Sequence, residues 1–163
     1  VIQSEAPVFH LAPLTEEHCR DICAWTYPPP YDVYRFKPWE QMLSLQEEFA
    51  DPDIRANQYR AVLDAHGRLS GFAQFFPIVG VTRLGLGMRP DLCGGGNGVR
   101  FVEAIVKEAR RRTPHNQIDL EVTVWNKRAI RAYIQAGFAI TDTYERMSPI
   151  GMDEFHCMVW TEE

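Results

Sequence analysis

Apolar and polar residues alternate from Val81 to Met88, and that period of two predicts a strand. The pattern changes after a glycine-rich break. From Val99 to Arg110 the apolar positions fall three and four apart, the period of a helix with one buried face. Similar reasoning covers the rest of the chain. Val8 to Leu11 predicts a first strand, and Thr15 caps a helix running to about Trp25. Pro38 suits the first turn of a second helix, Trp39 to about Ala50, which Asp51-Pro52-Asp53 closes. Strands follow at Gln58 to Asp64 and Leu69 to Pro77, joined by a hairpin turn at residues 65–68. Beyond the long helix come a strand around Glu121, a helix carrying Tyr133, and closing strands at Ala139 to Arg146 and Phe155 to Thr161. The segment Tyr27 to Tyr34 holds three consecutive prolines and cannot be helical. The resulting order, βααβββαβαββ, predicts one domain over 1–163, an α/β protein of the α+β type. Its central mixed sheet would have about seven strands, flanked by four helices.

Composition narrows the class. A chain of 163 residues, 45% hydrophobic and 24% charged, fits a single globular domain with a real core. The formal net charge of −5 argues against a nucleic-acid footprint. No segment has the apolar length of a membrane span and no signal peptide is visible, so the expected setting is cytoplasmic, with no membrane partner. Cys19, Cys23, Cys93 and Cys157 are too few and too irregular for a disulfide framework. A zinc site drawn from Cys19, Cys23, His18, His156 and Cys157 is disfavoured by the spacing, and no metal is expected.

Candidate chemistry begins at the break between the strand and the long helix. Glycines at 94, 95, 96 and 98 let backbone N–H groups converge, and the helix start adds unpaired amides and a favourable dipole. Strand, glycine loop and helix together predict a phosphate cradle over residues 93–99. Gly98 is followed by Val99 and Arg100, so the loop is not a Walker motif. Its place past the middle of the chain does not suit the dinucleotide fingerprint.

The loop resembles instead the acyl-coenzyme A loop of the GNAT acetyltransferases, Arg/Gln-x-x-Gly-x-Gly/Ala, with Gly96 and Gly98 on the glycine positions. Position 93 departs, holding Cys93 where the family usually has Arg or Gln. A second segment, Leu120 to Phe138, is similar to the family's strand followed by Asn-x-x-Ala-x-x-x-Tyr-x-x-x-Gly-Phe, through Asn126, Ala129, Tyr133, Gly137 and Phe138.

The resemblance implies direct acetyl transfer, in a ternary complex, from the cosubstrate acetyl-CoA to a primary amine of a small molecule or a protein N-terminus. It implies contacts to the coenzyme from Leu86, Gly87, Met88, Cys93, Gly94, Gly95, Gly96, Asn97, Gly98, Val99 and Asn126. The basic run Arg110 to Arg112 reads as a solvated helix end, with contact to the coenzyme's 3′-phosphate as the alternative. Tyr133 is implied as general acid for the departing thiolate. Glu121 is the first candidate base, against an ordinary strand carboxylate facing a basic neighbour, with Asp119 as its substitute on the same face. The need for a base depends on the acceptor. An alkylamine of pKa about 10.4 costs roughly 4.6 kcal/mol to deprotonate at pH 7, a protein α-amine only about 1 kcal/mol. Trp25, Tyr27, Tyr31 and Tyr34 either form an acceptor cage or pin down the proline-rich crossing. A catalytically degenerate domain that binds coenzyme A as a sensor or scaffold is the alternative function. Either a monomer or a homodimer fits the family.

Overall fold

The computed structural model describes residues 8–162. Seven strands form one sheet: β1 (His10–Pro13), β2 (Tyr59–Leu63), β3 (Leu69–Ile78), β4 (Val81–Met88), β5 (Gln117–Thr123), β6 (Phe138–Ser148) and β7 (Gly151–Trp160). Their spatial order is β1-β2-β3-β4-β5-β7-β6. Only β4 and β5 run parallel; every other neighbouring pair is antiparallel. The parallel step needs a crossover, and the long helix supplies it.

Five helices flank the sheet among the described residues, where the sequence predicts four: α1 (Glu16–Ala24), α2 (Trp39–Leu45), α3 (Pro52–Gln58), α4 (Gly98–Arg112) and α5 (Lys127–Gln135). The extra helix comes from a break in the predicted Trp39 to Ala50 segment. Gln46 ends α2 in a left-handed conformation, φ +50°, and Glu48 follows with φ +48°. That turn drives Phe49 to full burial among Trp39, Tyr59, Phe36 and Phe72. Asp51-Pro52-Asp53 therefore opens a helix instead of closing one. The Asp51 carboxylate accepts the N–H groups of Asp53 and Ile54, and Pro52 takes the first helical position, where no donor is needed.

The two sheet faces carry separate cores. α4 buries Phe101, Val102, Ile105, Val106 and Ala109 against Ala73, Leu84, Leu120, Val122 and Met158. α1, α2 and the Phe49 turn cover the opposite face, where Tyr59, Ala61 and Phe72 point. Burying a side chain such as Phe101 stabilises the fold by about 1.5–3 kcal/mol. α5 starts as its sequence requires, with the Asn126 carbonyl oxygen accepting the N–H of Ala129. It stops at Gly137, whose φ of +109° an L residue adopts only under strain.

Candidate active site

The strand register creates the site. Within the sheet, β4 pairs with β5 only from Val81 to Leu84, opposite Gln117 to Leu120. Past that point β5 stays with β7 while β4 stays with β3. The β5-facing edge of Gly85 to Met88 is thus left without a strand partner, and a cavity of about 780 Å³ opens there. Leu86, Gly87 and Met88 line it. The carbonyl of Met88 already accepts the Tyr27 hydroxyl at 2.7 Å. An exposed edge of this kind can take an extended ligand as an added strand.

The glycine loop closes one end of the cavity. Gly94 and Gly96 have φ of +77° and +83°, and alternating left-handed residues turn successive N–H groups to one side. No main-chain acceptor among the described residues takes the amides from Gly94 to Arg100, and the first helical bond is Phe101 N–H to Asn97. Asn97 braces the loop by donating from its side chain to the Leu92 carbonyl at 3.2 Å. Cys93, Gly94, Gly96, Gly98 and Val99 line the cavity; Gly95 and Asn97 shape the bend without lining it. The Cys93 thiol turns away toward the carbonyls of Met88 and Arg89, and burial pushes its pKa up. A weak neutral donor so placed does not substitute for Arg or Gln.

Arg128, which the sequence reading passes over, places a charge at the same bend. Its guanidinium lies 3.6 Å from where a Cβ on Gly94 would stand and 4.1 Å from the centre of the Tyr31 ring. No carboxylate pairs with it among the described residues. An unneutralised cation beside a nest of amides suits a phosphorylated ligand. Arg131 and Gln135 continue the same cavity wall along α5. The signal available in the sequence was the place of Arg128, two residues after a helix-capping Asn. The Arg110 to Arg112 run does not line that cavity. Arg110 pairs with Glu162 and sits over Trp160, while Arg111 and Arg112 pair with Glu108.

Tyr133 lies on the cavity wall, its ring 6.0 Å from that of Phe138. The side chain is half-buried and borders the cavity. Burial first, and the nearby Tyr34 second, push its pKa well above the ordinary value near 10. No group among the described residues hydrogen-bonds its hydroxyl, which leaves the donor free for a ligand. Asn126 is buried and largely occupied. Beyond its cap to Ala129, its amide donates to the Tyr34 hydroxyl at 2.9 Å, leaving one N–H for anything else.

Glu121 meets a crowded environment. Arg83 approaches Oε1 at 3.5 Å, Arg146 approaches Oε2 at 3.2 Å, and the Tyr144 hydroxyl also donates to Oε2. Tyr144 is held protonated by burial and by that carboxylate. Asp119 does share the face, but Arg83 takes both of its oxygens, at 3.0 and 2.9 Å, and it does not line the cavity. Asp119 is therefore withdrawn as a substitute base.

The aromatic loop divides. Tyr27, Tyr31 and Tyr34 reach the cavity, and Tyr31 and Tyr34 also pack on Trp125, with centroids 5.9 Å away in each case. The Tyr34 hydroxyl bonds Thr123 at 3.1 Å. Trp25 does not belong with them. It packs against the α1–α2 core and lines a separate surface hollow with Asp21 and Arg89. A Trp next to a proline-rich loop serves the second core as readily as a ligand, and its position at the end of α1 turns it inward. Cys19 and Cys23 are buried, with pKa values pushed up to about 11 by desolvation. Among the described residues no three of His, Cys, Asp and Glu converge as a metal-binding group, and no helix is long and apolar enough to cross a membrane.

Comparison with known proteins follows the same lines. The model of the acetyltransferase (GNAT) family matches residues 17–138. No curated protein matches the chain. Among solved structures, a chimera of the Vibrio cholerae spermidine N-acetyltransferase and hSSAT superposes with a TM-score of 0.74 at 20% identity, covering 93% of this chain and 94% of that one. The Vibrio cholerae spermidine N-acetyltransferase in complex with CoA and spermine gives 0.73 at 17% identity, over 93% and 94%. AAC(6')-Ib in complex with ribostamycin and coenzyme A gives 0.70 at 22% identity, over 95% and 94%.

Proposed function

Since this chain belongs to the GNAT acetyltransferase family, we propose that it moves an acetyl group from acetyl-coenzyme A to a primary amine of a small molecule. The carrying observation is the parting of β4 from β5 beyond Leu84, which joins the glycine nest to Tyr133 within one cavity. Coenzyme A in two structural neighbours and their small amines, spermine and ribostamycin, support the choice of ligands.

The residues present fit such a coenzyme. The free amides from Gly94 to Val99 and the Arg128 guanidinium would hold a diphosphate, and the open edge at Leu86 and Gly87 would pair with an amide-bearing arm. When bound, the thioester supplies an acetyl carbon open to attack by nitrogen.

The amine forms the new C–N bond as the C–S bond breaks, and the electron pair leaves on sulfur. Tyr133 donates a hydrogen bond from its phenolic O–H toward that sulfur, and the second proton that the nitrogen sheds as the amide forms ends on the thiolate. Glu121 draws the ammonium form of the acceptor to the opening and collects its proton through water, with Arg83, Arg146 and Tyr144 fixing the carboxylate's direction. Tyr27 and Tyr34 narrow the entrance from above.

Free-thiol release from acetyl-coenzyme A across a panel of primary amines, with mass spectrometry of the product, tests the reading. Acetylated amine is the expected product. Calorimetric binding of the coenzyme without turnover across the panel would overturn catalysis and leave a binding domain.

A further inference from the structure

Opposite Glu121, the cavity has a second polar bank that the transfer reaction does not require. Tyr59, Gln74 and Gly85 stand in register across β2, β3 and β4, on the sheet face that also carries Glu121. Gly85 is the first β4 residue beyond the parallel pairing with β5, so this row leads straight to the point where the strands part. Glycine keeps the path clear. A Cβ there would stand 3.2 Å from the Gln74 side-chain oxygen.

The row offers the cavity two acceptors, the Gln74 side-chain oxygen and the Glu48 carboxylate. Gln74 donates its amide nitrogen sideways to Gln58 at 2.9 Å, which aims the Gln74 carbonyl oxygen over Gly85. At the far end, the Glu48 carboxylate borders the same cavity and accepts the Tyr59 hydroxyl at 2.8 Å. Tyr59 is almost fully buried, and burial together with Glu48 keeps its phenol protonated, so it remains a donor that orients the carboxylate. Glu48 has no Lys or Arg partner among the described residues, in contrast to Glu47, which Lys37 neutralises at 2.9 Å. Phe36 and Phe72 line the space between, an apolar stretch with no charge of its own.

We infer that Glu48 and Gln74 form a subsite for a second cationic group on the acceptor, so that the preferred substrate is a diamine or a longer polyamine with an apolar spacer. The inference rests on the acetyltransferase reading and specifies its acceptor. One carboxylate, one carbonyl and no cation on that bank select an ammonium group and disfavour a carboxylate or phosphate. Glu121 on β5 stands about two strand spacings, roughly 10 Å, from Gln74 on β3 and about three, roughly 14 Å, from Tyr59 on β2, which holds Glu48, and these distances set the span of the spacer.

Matched series of n-alkylamines and α,ω-diamines of graded length test it. The ratio of kcat/KM for diamine over monoamine is the readout, alongside calorimetric binding of the diamine. In the unaltered protein the ratio should exceed ten, peak at one length and fall as salt is raised. Glu48→Gln keeps an acceptor for Tyr59 while removing the charge, and should reduce the ratio about 10- to 100-fold. Gln74→Glu adds a charge and should raise it, so one variant gains while the other loses. A ratio near one in the unaltered protein, or a ratio that survives Glu48→Gln, overturns the subsite. Failure of the transferase reading itself looks different, because no monoamine or diamine would then be acetylated.

Discussion

Replacing Tyr133 by Phe removes one oxygen and its proton from the cavity wall. The hydroxyl bonds no group among the described residues, and the ring's contact with Phe138 is retained, so neither fold nor coenzyme grip should suffer. The magnitude follows from the acidity of the two partners. A thiol titrates near 8.5 and an unperturbed phenol near 10, and burial lifts Tyr133 further. Full transfer of its proton to a solvated thiolate is therefore uphill by more than about 2 kcal/mol. Partial burial of the coenzyme thiol would raise its pKa in the same way, so the transfer is only partly opposed. Tyr133 then acts chiefly as a hydrogen-bond donor to a developing negative charge, worth about 1.5–3 kcal/mol. Tyr133→Phe should lower kcat about 10- to 150-fold, with the calorimetric Kd for acetyl-coenzyme A within a factor of about two. Because the raised pKa favours the neutral phenol, Tyr133 should cause no loss of kcat below about pH 10. Thiol release measured from pH 6 to pH 10 under saturating substrates checks both statements. Equal kcat for the two proteins, or equal proportional loss in kcat and coenzyme affinity, would refute the assignment.

Three further outcomes are expected. Glu121→Gln should lower turnover of an alkylamine about 10²-fold at neutral pH and recover as pH approaches the amine's own pKa near 10.4; a deficit constant with pH would reduce Glu121 to an anchor for Arg83 and Arg146. Arg128→Ala should raise KM for acetyl-coenzyme A about tenfold with kcat little changed, and Arg128→Lys should restore only part, since it lacks the planar fork; an unchanged KM removes Arg128 from the diphosphate site. Asp51→Ala deletes the α3 cap, costing about 1 kcal/mol and lowering Tm about 2–4 °C by calorimetry, whereas an unchanged Tm would mean that Pro52 and packing alone hold the helix.

The portions of the fold legible in the sequence are those whose signals are local. β4, the glycine loop, α4 and α5 fall where periodicity, capping and glycine place them. The break in the second predicted helix was not legible. Asp-Pro-Asp has the same composition at a helix end as at a helix start, and burial of Phe49 decided between them. Aromatic residues near a proline-rich loop share that ambiguity, and Trp25 went to the core while Tyr27, Tyr31 and Tyr34 went to the cavity. Glu48 gave no local sign, because a single Glu among many carries no pattern, and Arg128 gave only its place two residues after the helix-capping Asn126. Their meaning lies in what neutralises the other charges and not them.

The linear chain determined most of its elements and a loop able to hold an anion, since each depends on neighbours within about a dozen residues. Only the folded molecule decided where β4 leaves β5, which carboxylates face the resulting space, and which cation stands over Gly94. Those outcomes depend on the registry of strands far apart in the chain and on packing between helices. Such pairings are set by the sum of many distant contacts, and no local period records them.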